Sequence, residues 1–87
     1  MRHKETKWSP VKSAWLKWAR GVSFEEVVEF DLIAAIPHPA RPHQNLLLYE
    51  RAGQVWVVPF IETERQRFLK TLYRSRKYTR KYRRGDL

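Results

Sequence analysis

The sequence predicts an α+β domain. Capping signals open two apolar-periodic segments between residues 10 and 32, and short apolar runs punctuated by Pro and Gly fill residues 33–73. With 87 residues the chain is expected to form a single domain, 1–87. Consecutive strands joined by short turns pair antiparallel, and helices with one apolar face must lay it on a sheet. The expected architecture is two N-terminal helices packed on one face of a small antiparallel sheet of three to four strands. A short basic helix or tail over residues 75–87 follows. Residues 1–8 are expected to be flexible.

The helices come first. Ser9-Pro10 reads as an N-cap with Pro at the first helical position. Val11, Ala14, Trp15 and Trp18 then recur at helical spacing, widened by Leu16 and Ala19, so this set is expected to face the core. Gly21 is placed to cap the C-terminus. Ser23-Phe24-Glu25-Glu26 matches the capping box, with Val22 and Val27 as a hydrophobic staple. Phe24, Val27, Val28 and Leu32 form the expected buried stripe of this second helix. Glu25, Glu26 and Glu29 complement the positive helix N-terminus, which accounts for them without catalysis.

The strands follow. Residues 33–36 are a strand candidate, stopped by Pro37-His38-Pro39-Ala40-Arg41-Pro42-His43, which excludes a helix. Residues 46–49 make the next, Ala52-Gly53 marks a hairpin turn, and residues 54–58 continue as a buried strand. Pro59 cannot donate a ladder hydrogen bond and marks an edge, an end or a bulge. Residues 67–73 alternate as a last strand, with Phe68, Lys70 and Leu72 on one face and Leu69, Thr71 and Tyr73 on the other.

Charge is polarised along the chain. The net charge is +9, yet residues 21–64 hold seven acids against two Lys/Arg, while residues 65–84 hold ten Lys/Arg and no acid. A one-sign block of that length calls for a polyanion or an acidic partner. Arginine dominates it, through Arg65, Arg67, Arg74, Arg76, Arg80, Arg83 and Arg84 against Lys70, Lys77 and Lys81. Its planar fork binds phosphate bidentately and stacks on bases, which favours nucleic acid, RNA foremost. The absence of cysteine excludes disulfides, thiolate metal sites and a cysteine nucleophile. No apolar run is long enough for a membrane span. A cytoplasmic protein without a cofactor is expected.

Five short motifs in order resemble one family. Gly21-Val22-Ser23-Phe24-Glu25-Glu26-Val27-Val28-Glu29, after a basic amphipathic helix, resembles the start of BrnT-type toxins. His38-Pro39 with His43-Gln44, Val55-Trp56-Val57-Val58-Pro59-Phe60 and Phe68-Leu69-Lys70-Thr71 are similar to their middle. Ser75-Arg76-Lys77-Tyr78-Thr79-Arg80-Lys81-Tyr82 resembles their C-terminal serine-arginine-lysine-x-threonine segment. The resemblance runs from about residue 11 to 83. It implies a RelE-like fold and a metal-independent ribonuclease of a type II toxin–antitoxin system, cleaving mRNA to arrest translation. It also implies a cognate antitoxin, of the ribbon-helix-helix DNA-binding kind. Such toxins begin with an aromatic-Trp-Asp strand where Lys7-Trp8-Ser9 stands here, so a first strand is expected to be short or missing.

Metal-free RNA cleavage needs a proton acceptor for the 2′-hydroxyl, a donor for the leaving 5′-oxygen, and cations around the phosphate. Lys70, within a strand, and Arg74, Arg76 and Lys77 at its end are the catalytic candidates, together with His38. Arg67, Tyr73, Tyr78, Arg80, Lys81, Tyr82, Arg83 and Arg84 are expected to bind RNA through phosphates and stacked bases. His38 and His43 lack companion ligands for a metal, so no metal site is expected. Ser75 and Thr79 are expected to cap a turn rather than attack. The competing readings are a non-catalytic RNA- or ribosome-binding module, and a subunit whose basic face exists to be covered by an antitoxin.

Overall fold

Ser9 and Ser23 cap two helices as their positions predict. A computed structural model describes residues 4–87. Ser9 Oγ accepts from the Lys12 N–H at 3.1 Å to open α1 (Pro10–Arg20), and Gly21, at φ 82°, closes it with its N–H on Lys17 O. Ser23 and Glu26 complete the capping box of α2 (Phe24–Val27). This helix is a single turn and does not run on to Leu32. Residues from Asp31 instead form β2 (Asp31–Pro37), paired antiparallel with β3 (Asn45–Arg51), which leaves Leu32 exposed. Ladder pairing with β3, interrupted only by a register shift between Leu32 and Ala34, outweighs its helical periodicity.

A two-residue turn at Ala52 (φ 52°) and Gly53 (φ 80°) joins β3 to β4 (Gln54–Glu62), with Arg51 opposite Gln54. Positive φ at both residues is the mark of a type I′ hairpin. The remaining elements are β1 (Glu5–Lys7), β5 (Gln66–Leu69), β6 (Tyr73–Ser75) and α3 (Arg76–Arg83). The sheet order is β1-β5-β4-β3-β2, and β6 also pairs with β4.

Among the described residues the sheet therefore has six strands, not three to four. Two causes account for the difference. Glu5–Lys7, inside the stretch expected to be flexible, pairs parallel with β5 as a short first strand. The single strand expected over residues 67–73 is divided in two. Phe60 faces Leu69 and Val57 faces Tyr73, so β4 advances three residues where its partner advances four. That one-residue excess is a bulge. It sits opposite Pro59: the Lys70 N–H donates to Pro59 O at 2.8 Å, and proline has no N–H to return the bond.

The bulge resets the strand phase. Leu69 and Leu72 are both buried in one cluster with Val58 and Phe60. The expected grouping of Leu72 with Lys70 is thus corrected, because one extra residue moves every later side chain to the opposite face.

The helices take both faces of the sheet rather than one. Leu16, Phe24 and Val27 of α1 and α2 close over Leu47, Tyr49, Val58, Phe60, Leu69 and Leu72. On the other face Leu46, Leu48, Val55 and Val57 form a second cluster, with Tyr78 of α3 and Ile33, Ala34 and Ile36 packed against it. Ser75 Oγ accepts from the Tyr78 N–H at 3.0 Å as the N-cap of α3. Thr79 Oγ1 donates to Ser75 O at 2.6 Å and accepts from the Val55 N–H at 2.9 Å, fastening α3 to β4.

The orientation of α1 is the second correction. Its buried residues are Ser13 and Leu16. Val11, Ala14, Trp15 and Trp18, expected to face the core, are exposed; Val11 is 81% and Trp18 85% accessible. Buried Ser13 outweighs them because its hydroxyl is used twice. It accepts from the Phe24 N–H at 2.9 Å, an otherwise orphan amide at the start of α2, and donates to Glu25. Trp8 Nε1 donates to the same carboxylate at 3.0 Å and its ring packs 5.9 Å from Phe24.

Candidate functional site

The one-residue bulge leaves a groove on the α3 face of the sheet, beyond the helix. It encloses about 490 Å³ and is lined by His38, Arg41 and Gln44 from the β2–β3 loop, Pro59 from β4, and Lys70, Thr71 and Tyr73. Proline supplies a flat apolar floor, and none of the lining residues is a carboxylate. Lys70 and Tyr73 point into the same groove because the bulge shifts Tyr73 into phase with Lys70. Two cations, a phenol, an imidazole and a hydroxyl thus converge where β4 lacks one N–H.

His38 is held by its own loop. Its Nδ1 accepts from the Ala40 N–H at 3.0 Å and the Arg41 N–H at 3.1 Å. The proton of the neutral ring therefore sits on Nε2, making that atom a donor. His43 adopts φ 68° in the same loop, which closes with the His38 N–H on Gln44 O at 3.1 Å. Burial raises the Tyr73 phenol above its ordinary value; neighbouring Tyr78 adds to this and Arg20 opposes it. Tyr73 accordingly stays a neutral O–H donor at physiological pH.

Arg20 was not anticipated. From the end of α1 its Nη1 donates to Thr71 Oγ1 at 3.2 Å and to Leu72 O, so it grips the bulge from behind. A second hollow of about 430 Å³ is lined by Arg20, Gly21, Val22, Trp56 and Arg74. Arg74 therefore lines a different hollow from Lys70, opposite Trp56 in the ladder.

The other anticipated residues scatter. Arg76 and Lys77 are exposed on the first turn of α3, with Lys77 Nζ 5.3 Å from the centre of the Tyr78 ring. Lys81 Nζ lies 6.0 Å from the same ring, and Tyr78 itself is half-buried against the sheet. Tyr82 is 37% accessible and Arg80 is exposed. Arg83 Nη2 donates to Gly53 O at 3.2 Å, and Arg84 pairs with Asp86. Gly53 lies six residues along β4 from Pro59, about 20 Å at the usual strand rise. The C-terminal end of α3 is therefore remote from the groove.

Arg67 is on the α1–α2 face, its guanidinium 4.8 Å from the centre of the Phe60 ring and 3.7 Å from Glu62. Its Nε is buried there without a hydrogen-bond partner. Of the anticipated residues, His38, Lys70 and Tyr73 come together. Arg41, Gln44 and Thr71 were missed, although Arg41 lies inside the proline loop that His38 drew attention to.

No protein-family model matches the chain, and no curated protein does. A solved structure does. The 1.1 Å crystal structure of the Brucella abortus ribonuclease toxin BrnT superposes with a TM-score of 0.55 at 12% sequence identity, covering 84% of this chain and 97% of that one. This chain has the BrnT fold. The match takes in nearly all of BrnT, so the likeness is of the whole fold rather than a local motif. Among the described residues of this version of the BrnT fold, no helix is long and apolar enough to cross a membrane.

Proposed function

We propose that this chain is a ribonuclease toxin of a type II toxin–antitoxin system, acting in the cytoplasm on mRNA and needing no metal ion. The observation that carries the reading is the groove: on a BrnT fold, His38, Arg41, Lys70 and Tyr73 line one depression that holds no carboxylate. Lys70 and Arg41 suit the charge that builds on the phosphate as the 2′-hydroxyl attacks. The His38 Nε2–H and the Tyr73 O–H are the neutral donors available to the leaving 5′-oxygen. Arg74, in the hollow beside Arg20 and Trp56, and Arg76 and Lys77, exposed on the first turn of α3, lie outside the groove and would serve RNA binding rather than the chemistry. The basic surface also suits a cognate antitoxin, for which a ribbon-helix-helix protein is the expected kind.

One observation favours a second reading. With Nδ1 of His38 committed to two backbone N–H groups, no uncharged nitrogen of the groove is free to accept the 2′-hydroxyl proton. A non-catalytic RNA- or ribosome-binding module would need none.

Purified chain incubated with RNA in EDTA separates the two. The toxin reading expects new 5′-hydroxyl ends, reduced about a hundredfold or more when His38→Ala, Lys70→Ala and Tyr73→Phe are combined. Undiminished cleavage in that triple variant removes the groove as the site. Intact RNA retained with a steep salt dependence establishes the binding module. Growth arrest on inducible expression in a bacterium is the cellular counterpart.

A further inference from the structure

The solvent-facing side of α1 is built like a helix-packing seam. Val11, Ala14, Trp15 and Trp18 fall at i, i+3, i+4 and i+7, one stripe of an α-helix. All four are exposed, Trp15 at 47%, Val11 at 81% and Trp18 at 85%. The buried residues Ser13 and Leu16 occupy the opposite side of the same helix. An isolated exposed apolar residue is ordinary; four in register, two of them tryptophan, mark an interaction site.

We infer that this seam docks an acidic amphipathic helix of a partner protein. Three observations choose that occupant. First, the spacing is that of the anchors by which one helix lies along another. Second, the rim is positive: α1 carries no acid, and with Lys17 paired to Glu26 at 2.9 Å the charge beside the seam comes from Lys12 and Arg20. Lys12 Nζ lies 4.9 Å and the Arg20 guanidinium 5.7 Å from the centre of the Trp15 ring. A helix with a Leu or Ile stripe flanked by Asp and Glu complements both features.

Third, the alternatives fit worse. RNA stacks on open ring faces, and of the four seam residues only Trp18 offers one: Trp15 already has two cations against it, and Val11 and Ala14 offer a base neither a plane nor a donor. A second copy of this chain, net charge +9, would set Lys12 and Arg20 against their own equivalents. The inference does not rest on the ribonuclease reading, since no seam residue lines the groove. Arg20 is nevertheless shared: the residue at the seam's end also holds the bulge at Thr71 and Leu72. A helix on the seam therefore contacts the element that shapes the groove.

The test is selection of a displayed library of helical peptides against the full chain, with the flanking positions varied among Asp, Glu, Lys, Gln and Ser. Winning peptides should carry an apolar stripe flanked by Asp and Glu. They should lose about thirtyfold in affinity against Val11→Ser with Trp18→Ser, as expected for an anchoring tryptophan. Both residues are exposed, so an unchanged circular dichroism spectrum and melting temperature show that the variant still folds. Basic or neutral winners, binding insensitive to the double variant, or no enrichment overturn the inference. So does a twelve-nucleotide RNA whose affinity falls in the double variant, or self-association of the wild type that the variant abolishes. Loss of RNA cleavage in the groove variants, with peptide binding intact, bears on the ribonuclease reading alone.

Discussion

The two faces of the sheet are finished differently. On the α1–α2 face, Phe24, Leu16 and Val27 are wholly buried against β3, β4 and the bulged strand; of the polar groups that enter, Ser13 is tied to its neighbours, while Arg67 pairs with Glu62 at 3.7 Å and keeps a buried Nε without a hydrogen-bond partner. On the α3 face, a one-turn clamp at Ser75 and Thr79 covers only the hairpin end of β4. Beyond it the sheet is left open over Pro59, and the polar groups there aim outward into a groove. The same β4 thus contributes core on one side and both core and groove floor on the other. The core and the groove are spatially separated, so substitutions on the two faces should fall into different classes.

The largest effect expected is on the closed face. Phe24→Ala removes a fully buried ring and should cost about 3–5 kcal/mol, which an 87-residue domain of ordinary stability can barely withstand. Urea denaturation measures it; a loss under about 1 kcal/mol would mean that the face can collapse around the gap. Lys70→Ala on the open face should do the reverse. Lys70 is exposed, so unfolding free energy should shift by no more than about 0.5 kcal/mol. RNA cleavage or binding should fall by about a hundredfold if Lys70 carries phosphate charge. A variant that destabilises without affecting RNA would invert the comparison.

How much of this was legible beforehand follows the same division. Caps and turns were readable because their chemistry is local: Ser9, Gly21, the Ser23–Glu26 box and Ala52-Gly53 each act within a few residues. The approach of His38 to Lys70 was not readable, since only the sheet register brings the proline loop beside the bulge. Pro59 signalled a bulge as one of three options, but the extra residue that flips Leu72 away from Lys70 is a property of the pairing. The orientation of α1 misled for a physical reason. Periodicity assigns the apolar stripe inward, and here a serine with two buried hydrogen bonds holds the inward position instead. The strand at Glu5–Lys7 has no apolar content to announce it and exists through its ladder with β5.

A middle-sized effect tests how the clamp on the open face works. Thr79→Val keeps the shape of the side chain and removes the hydroxyl that joins Ser75 O to the Val55 N–H. It leaves a buried amide without a partner, which should cost about 1–3 kcal/mol. Hydrogen exchange at Val55 should accelerate more than at Val58, because Val58 lies deeper in the ladder. Equal acceleration at both would mean that α3 supports the whole sheet and that the open face is less independent than the geometry indicates.

The smallest effect concerns pH and belongs to the closed face. The Ser13 hydroxyl, the backbone N–H of Glu25 and the Trp8 indole hold the Glu25 carboxyl below its ordinary 4.5, against a small opposing effect of burial. Lys17 and the Ser23 backbone do the same for Glu26. A carboxyl depressed in the folded state leaves the unfolded chain binding more protons, so its contribution is complete above pH 4.5 and is lost as pH falls through the folded value. Melting temperature should therefore drop on acidification between roughly pH 5 and 3, and less steeply in Glu25→Gln. Salt separates the two carboxylates. Glu26 faces the exposed Lys17 ammonium at 2.9 Å, and its share should shrink at high ionic strength. The share of Glu25 comes from neutral donors and should persist. A slope that vanishes altogether in salt would assign the whole acid response to the Lys17–Glu26 pair and leave the Trp8–Glu25–Ser13 tie a packing contact only.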